Sequence, residues 1–522
     1  MSGSDAATAP TTVAEVLDRA LRLDPGREAV VARSGRLTYG ELDAAANRAA
    51  QALAGFGVRQ GDRVAASLPN DLDVVVLFHA VQRLGAVWVG VNLTLAPPEK
   101  AYILRDCEVS LLLATPAVAE SLAPSVAAGE LPALRRTLLV DPSDPGSEWA
   151  QACAAAPAEA VGVAVDPYAP AGIAYTSGTT GFPKGVVQSQ YNLLLPGRVV
   201  VADRGYGPDL VKGDAFAFTI LNLQVLSTLL VAQAAGRIVV IDRSDHTGIT
   251  EWIEAEQVEL WNGAPATLHS MAHDPAITPE RLASLREVWS GGGDLPEATY
   301  AAFSAKFAAP VHTTYGLTEA PTLVTIQPRN SPHVPGTSGV ALPHLAVDVV
   351  DDDGRPLPTG ETGEVVVGPV TEGPWAGAYR PMLGYWNRPE ATEEALRGGV
   401  LHTGDLGALD EEGRLVIRDR KNLLIIRGGA NVYPAEVERV LVAVPGVAGA
   451  AVTGVPDERL GERVVALVEL AAGASVTADD LDRHCRANLA RYKVPERFTF
   501  VEQLPRNAMG KVDRKALAPF LG

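Results

Sequence analysis

Cysteine is nearly absent: Cys107, Cys153 and Cys485 are the only three in 522 residues. So few, so widely separated, they offer neither a disulfide framework nor a metal-ligand spacing. Basic residues are also scarce, 44 Lys and Arg against 62 Asp and Glu, for a formal charge of −18. That balance disfavours nucleic acid and anionic membrane surfaces as partners, because both repel an acidic chain. It leaves anionic cofactors open, since a local loop can bind them against the overall field. The stretch Met1 to Pro10 lacks the basic-then-apolar pattern of a secretory signal. A clean membrane-spanning run is missing too. Ile220 to Ile241 has a single charge, Arg237, yet Asn222, Gln224, Gln233 and Gly236 interrupt it. Its end, Ile238-Val-Val-Ile241, is β-branched, so the stretch predicts a buried helix followed by a buried parallel strand. A cytoplasmic protein with no stable membrane insertion is the expectation.

What is present is an ordinary globular composition, 47% apolar and 20% charged. The length exceeds a single hydrophobic core and predicts two or more units. Short strands alternate with helices early on. Leu37 to Leu42 leads into a helix over Asp43 to Gly55, and Asp62 to Leu68 reads as a strand. A helix over Val74 to Leu84 and strands over Ala86 to Val91 and Ser110 to Leu113 follow. This βαβ rhythm predicts a parallel sheet covered by helices. Ala117 to Val163, rich in alanine, proline and acid, reads as a surface excursion. Further strands are expected at Ala215 to Thr219, Val258 to Ala264 and Glu287 to Ser290. From Ala346 the texture turns to antiparallel hairpins, with turns at Asp353-Gly354 and Glu412-Gly413. Arg418 to Asn422 is a charged joint, and about 100 residues of α+β follow it as a separate lobe.

One stretch stands out chemically: Tyr175-Thr-Ser-Gly-Thr-Thr-Gly-Phe-Pro-Lys-Gly185. It lies between two apolar runs and reads as strand, loop, strand. Gly178 and Gly181 let backbone N–H groups converge, Thr176, Ser177, Thr179 and Thr180 add hydroxyls, and Lys184 adds charge. Such a loop suits a polyphosphate, although the spacing does not fit G-x-x-x-x-G-K-[ST]. Gly291-Gly292-Gly293-Asp294 closes another strand and would let a ligand lie against backbone, as at the crevices of open α/β sheets.

The glycine- and hydroxyl-rich stretch resembles the phosphate loop of the adenylate-forming enzymes, which include acyl-CoA ligases, adenylation domains of peptide synthetases and luciferases. The rest of that family's series follows in order: Tyr315-Gly316-Leu-Thr318-Glu319, Gly363-Glu-Val365, His402-Thr-Gly-Asp405, Arg420, Gly428-Gly429 and Gly510-Lys511-Val-Asp-Arg514. The resemblance runs from about Leu37 to Leu517. It implies an α/β fold in which residues 1–419 form a large domain of parallel sheets flanked by helices. That domain would include a β-barrel-like subdomain at about 346–419. Residues 420–422 would be a hinge and 423–522 a small mobile α+β domain.

The resemblance also implies roles. A carboxylate must attack the α-phosphorus of ATP, so positive groups and magnesium have to offset the meeting of two anions. Lys511 would be the main cation, with Lys184 beside it. Glu319 would bind magnesium, Thr318 the α-phosphate, and Tyr315 would stack on adenine, with a helix N-cap the rival role for Thr318. Gly291 to Asp294 and Gly316 would flank the base. Asp405, joined by Arg420, would take the ribose hydroxyls, and Ile417 belongs to the same nucleotide-binding set. Gly428 and Gly429 would line a channel for the pantetheine arm of coenzyme A once the small domain rotates. Asn222, Trp261, Gly263 and Trp289 are candidates for the acyl pocket by position. The uncharged face from Ile220 to Val231 suggests a bulky, largely apolar acid, with aryl, alicyclic and fatty acids all open.

Three positions depart from the family pattern. Asn222 stands about where many members carry histidine, Asn422 leaves the hinge neutral, and Asp294 puts a carboxylate near the triphosphate. They keep a second mechanism in view, one in which the enzyme mainly transfers a preformed acyl-adenylate to the thiol. A free-standing adenylation enzyme that loads a carrier protein is the other alternative to a CoA ligase, and a non-catalytic nucleotide binder is the rival from another class. A homodimer is the default oligomer.

Overall fold

The computed structural model describes residues 10–521 except 142, 177–182, 293–294, 421–422, 424, 428–429, 458–460, 490 and 508–510, and backbone alone at 419, 420, 426, 430, 431 and 461. Two mixed sheets carry most of the chain. In the first, strands Pro170–Thr176, Val87–Gly90, Arg63–Ser67, Leu111–Ala114 and Arg136–Leu139 run parallel in that order. Lys184–Ser189 and Gly384–Tyr385 extend it antiparallel at one edge. In the second, Glu28–Ala32, Arg237–Val240, Val211–Asp214, Leu260–Asn262, Glu287–Ser290 and Val311–Tyr315 are parallel, with short antiparallel strands at both edges.

Central strands such as Arg63–Ser67 read as continuous apolar runs because both their faces are covered. Val64 and Ala66 point into the core between the sheets, which also receives Val30, Ile238, Leu260 and Trp289. Ala65, with Val87 and Leu112, packs under the helices on the first sheet's outer face. Val239, Trp261 and Val288 do the same for the second sheet.

Three expectations are corrected. The excursion over 117–163 holds helices Pro116–Ala127 and Glu148–Ala155, and strand Arg136–Leu139, which completes the first sheet. The strand expected at Ala215 to Thr219 is instead Val211–Asp214, whose charged residues disguise it. The apolar helix is not uniform: Leu221–Leu223 is α-helical, Gln224–Leu229 is a π-helical segment, and Leu230–Ala234 is α-helical again. Among the described residues no helix is long and apolar enough to cross a membrane.

Beyond these sheets the chain forms an antiparallel four-stranded sheet, ordered Leu345–Val350, Gly363–Pro369, Leu401–Leu409 and Leu415–Arg420. Its two outer strands do not pair, so the barrel-like sheet expected here is an open half-barrel. The last sheet joins Ala430–Val432, Ile425–Arg427, Gly461–Leu470 and Val447–Asp457, with Arg497–Val501 parallel to Gly461–Leu470. Helices Pro434–Val442 and Ala478–Asn488 cover it, and Ile425, Val437, Leu441, Val452, Ala466 and Cys485 form a core of its own.

Candidate active site

The strand-loop-strand expected around residue 180 is an antiparallel hairpin, Pro170–Thr176 with Lys184–Ser189, closed by Thr176 opposite Lys184. Ser177, Gly178, Thr179, Thr180 and Gly181 lie outside the described residues. Gly185 has no room for a side chain: a Cβ there would come 2.8 Å from Ile173 Cγ2 and 3.1 Å from the Tyr175 ring. Tyr175 is anchored near the end of its strand, its hydroxyl donating to Asp106 Oδ2 at 2.7 Å. The same carboxylate pairs with Arg388 at 2.8 Å, and the Asp106 carbonyl accepts from Trp386 Nε1 at 3.1 Å. Burial, ahead of the neighbouring Cys107 and Asp106, pushes the Tyr175 hydroxyl far above its usual range, so it stays a donor.

Tyr385, which no motif reading singled out, joins two candidate residues. Its strand pairs with the hairpin, Tyr385 opposite Val186, and Trp386 N donates to Gly185 O at 2.7 Å. The Tyr385 hydroxyl donates to Glu319 Oε1 at 2.8 Å, and Lys184 Nζ stands 4.9 Å from the centre of the Tyr385 ring. One aromatic side chain therefore touches both the lysine that ends the loop and the candidate magnesium carboxylate. The only trace in the chain was a Gly-Tyr-Trp cluster before Pro389.

The segment Gly316 to Thr322 turns back across the end of strand Val311–Tyr315. A Cβ on Gly316 would lie 1.7 Å from the Thr322 carbonyl oxygen, so the turn requires glycine. Thr318 is in this turn and caps no helix, which removes its rival role. Instead Asn222 Nδ2 donates to Thr318 Oγ1 at 3.1 Å, and Gln188 Nε2 donates to the Thr318 carbonyl at 2.7 Å. Asn192 Nδ2 in turn holds Gln188 Oε1 at 2.9 Å. Tyr315 donates its hydroxyl to Asp405 Oδ2 at 2.7 Å. Asp405 sits in strand Leu401–Leu409, buried, with Arg420 opposite and Ile417 opposite Gly407.

Gly291 is packed against Thr314, whose Oγ1 would be 2.0 Å from an added Cβ. Gly292 has φ +75, and the atom that a Cβ there would approach is Lys511 Cε, at 3.9 Å. The C-terminal lysine thus reaches the glycine loop that ends the strand Glu287–Ser290. Gly293, Asp294, Asn422, Gly428 and Gly429 lie outside the described residues.

The four pocket candidates do not converge. Trp261 pairs with Val288, and Asn262 with Trp289, so strand alternation puts the two tryptophans on opposite faces of the second sheet. Trp289 faces the core between the sheets, whereas Trp261 faces the outer one and its ring lies 2.8 Å from where a Gly263 Cβ would be. Both cannot wall a single pocket. Nor is the neighbourhood of the Ile220 to Val231 helix free of charge, because strand Val211–Asp214 brings Asp214 against Ser227.

The chain matches the model of the AMP-binding enzymes over residues 17–386 and that of the AMP-binding enzyme C-terminal domain over residues 436–511. It is 34% identical over 494 residues to the long-chain-fatty-acid–CoA ligase FadD13 of Mycobacterium tuberculosis, 92% of each chain. It is 35% identical over 506 residues to a feruloyl-CoA synthase of an Amycolatopsis species, 95% of this chain and 96% of that one. ATP-bound MatB from Rhodopseudomonas palustris superposes with a TM-score of 0.88 at 31% identity, over 97% of this chain and 98% of its own. With a large and a small domain model matched in chain order, the protein belongs to the AMP-binding, adenylate-forming enzymes.

Proposed function

We propose that the protein is an ATP-dependent acyl-CoA ligase. A carboxylate oxygen of the acid attacks the α-phosphorus of ATP, and the bond to the β-phosphate oxygen breaks, giving acyl-adenylate and pyrophosphate. The sulfur of coenzyme A then attacks the acyl carbon. AMP leaves with the electron pair of the broken C–O bond, the thiol proton passes to solvent, and acyl-CoA remains. The observation that carries the proposal is the meeting of Lys511 with Gly292, two segments far apart in the chain, at one crevice beyond the carboxyl ends of parallel strands.

In that crevice Lys511 and Lys184 would offset charge on the phosphates. Thr318 would donate to the α-phosphate, and residues 176–181 would cradle the other two. Tyr315 would flank the adenine, and Asp405 with Arg420 would hold the ribose. Magnesium, when bound, neutralises negative charge developing around phosphorus. Glu319 would supply an oxygen ligand to it, its carboxylate held by the Tyr385 hydroxyl, and nucleotide oxygens would supply others. Residues 420–422 would be the hinge and Gly428-Gly429 the channel for the pantetheine arm.

The deciding experiment supplies acid, ATP, magnesium and coenzyme A with no other protein, and reads AMP and thioester. Thioester formation together with acid-dependent ATP–pyrophosphate exchange supports the ligase. Exchange without thioester until a carrier protein is added would assign the chain to carrier loading. Thioester from a supplied acyl-adenylate with no exchange for any acid would assign it to the second half-reaction alone.

A further inference from the structure

Strand Val211–Asp214 carries two charges that the chemistry above does not use. The side chains of Lys212 and Asp214 are both fully buried. Alternation turns them to one face of the sheet, while Gly213 between them faces Val258 and Ile241. Lys212 Nζ stands 2.8 Å from Asp214 Oδ2 and 5.5 Å from the centre of the Trp289 ring. Beyond that ion pair no hydrogen-bond acceptor is found for Nζ among the described residues. Asp214 is better supplied: Oδ1 accepts from Asn262 N at 3.3 Å, and Oδ2 accepts from Ser227 Oγ.

A buried ammonium with donors to spare is a poor way to fill a core, where an apolar side chain of the same volume is usually neutral or better. Its location suggests a use. Ser227 belongs to the π-helical segment that follows Asn222, and such segments recur at functional sites. Asn222 and Ser227 are five residues apart, the first just before the π-helical segment and the second within it. Asn222 holds Thr318, where the acid's carboxylate meets the nucleotide in the ligase proposed above, and Ser227 holds Asp214. Trp289, beside Lys212, lies two residues below Gly291 on its strand.

We propose that Lys212 closes the far end of the acyl pocket and that its spare N–H groups bind a neutral oxygen of the substrate, a hydroxyl or carbonyl remote from the reacting carboxylate. This subsite rests on the ligase proposal. The oxygen is neutral because Asp214 already balances Lys212, and nearby Glu287 is balanced by Arg204 at 3.0 Å and Arg329 at 2.8 Å. A second carboxylate would confront Asp214. An alkyl acid would leave the buried donors unpaired, and sites built to hydrogen-bond a substrate reject such analogues strongly, by up to about 10⁴.

The test compares oxo- or hydroxy-acids with alkyl acids and dicarboxylic acids of equal length, by kcat/KM in ATP–pyrophosphate exchange. Wild type is expected to favour the oxo- or hydroxy-acids by at least about tenfold, and Lys212→Met to lose that preference while KM for ATP stays the same. Equal wild-type values for oxo and alkyl acids, or a preference for the dicarboxylates, would overturn the subsite while leaving the ligase intact. If Lys212→Met fails to fold, the wild-type comparison decides alone. Exchange with no acid of any kind would overturn the ligase and the subsite with it.

Discussion

Asn222 donates to the hydroxyl of Thr318 across 3.1 Å, tying the apolar helix to the turn that follows strand Val311–Tyr315. Gln188 grips the same residue by its carbonyl, so two separate elements hold the turn. An amide keeps one charge state at every physiological pH, whereas histidine at this place would switch near pH 6.5.

Asn222→Ala is expected to slow acyl-adenylate formation by about three- to tenfold, the usual worth of one hydrogen bond. The ratio of variant to wild-type rate should be flat with pH. For Asn222→His that ratio should change across pH 5.5–7.5 with a midpoint near 6.5. Pyrophosphate release measured over that range checks both; a flat ratio for the histidine variant would show that this contact does not reach the reaction.

Lys511→Ala is expected to lower acid-dependent exchange by about 10²-fold or more, the scale of losing one electrostatic stabiliser at a reacting centre. Transfer from a supplied acyl-adenylate to coenzyme A should stay within a few-fold of wild type. Equal loss in both half-reactions would argue against a lysine that acts on the phosphate alone.

Tyr385→Phe keeps the ring against Lys184 and removes the donor to Glu319. The magnesium concentration giving half-maximal rate should rise about three- to tenfold, with KM for the acid unchanged. Tyr385→Ala should also raise KM for ATP, as Lys184 loses its aromatic neighbour. An unchanged magnesium requirement in Tyr385→Phe would mean that the hydroxyl does not orient Glu319.

Two histidines couple stability to acid. Burial holds the His79 imidazole down to about 3 and that of His344 to about 4. Unfolded, both take up a proton near pH 6.5, so between there and the folded values the unfolded chain binds more protons. Stability from each is complete above pH 6.5 and falls as pH drops toward the folded value. For His344 the full effect is on the order of 3 kcal/mol. His344→Leu should therefore lose less melting temperature than wild type between pH 7.5 and 4.5, whatever its starting value at pH 7.5. Parallel curves would overturn the assignment.

Strands such as Arg63–Ser67 and Glu287–Ser290 were legible because an apolar run bounded by turn residues is a local pattern. Arg136–Leu139 was not, since an edge strand has one neighbour and tolerates polar residues. Val211–Asp214 was misplaced by four residues because its two charges are neutralised inside the fold, which no local pattern announces. Among the site candidates, the hydroxyl-rich loop, Thr318-Glu319, Asp405 and Lys511 were proposed from residue type and order. Trp261 and Trp289 could not be sorted, because pairing register decides which face each one takes.

Residue order alone thus determines which groups are on offer: glycines and hydroxyls with a lysine beside them, and a carboxylate after the Tyr-Gly-Leu-Thr run. These are properties of short segments. Packing settles which of those groups meet. Lys511 at Gly292, Tyr385 between Lys184 and Glu319, and Lys212 under the π-helical segment are contacts between stretches distant in the chain. Such contacts arise only when buried apolar faces and paired strands bring the stretches together, and no stretch encodes its partner by itself.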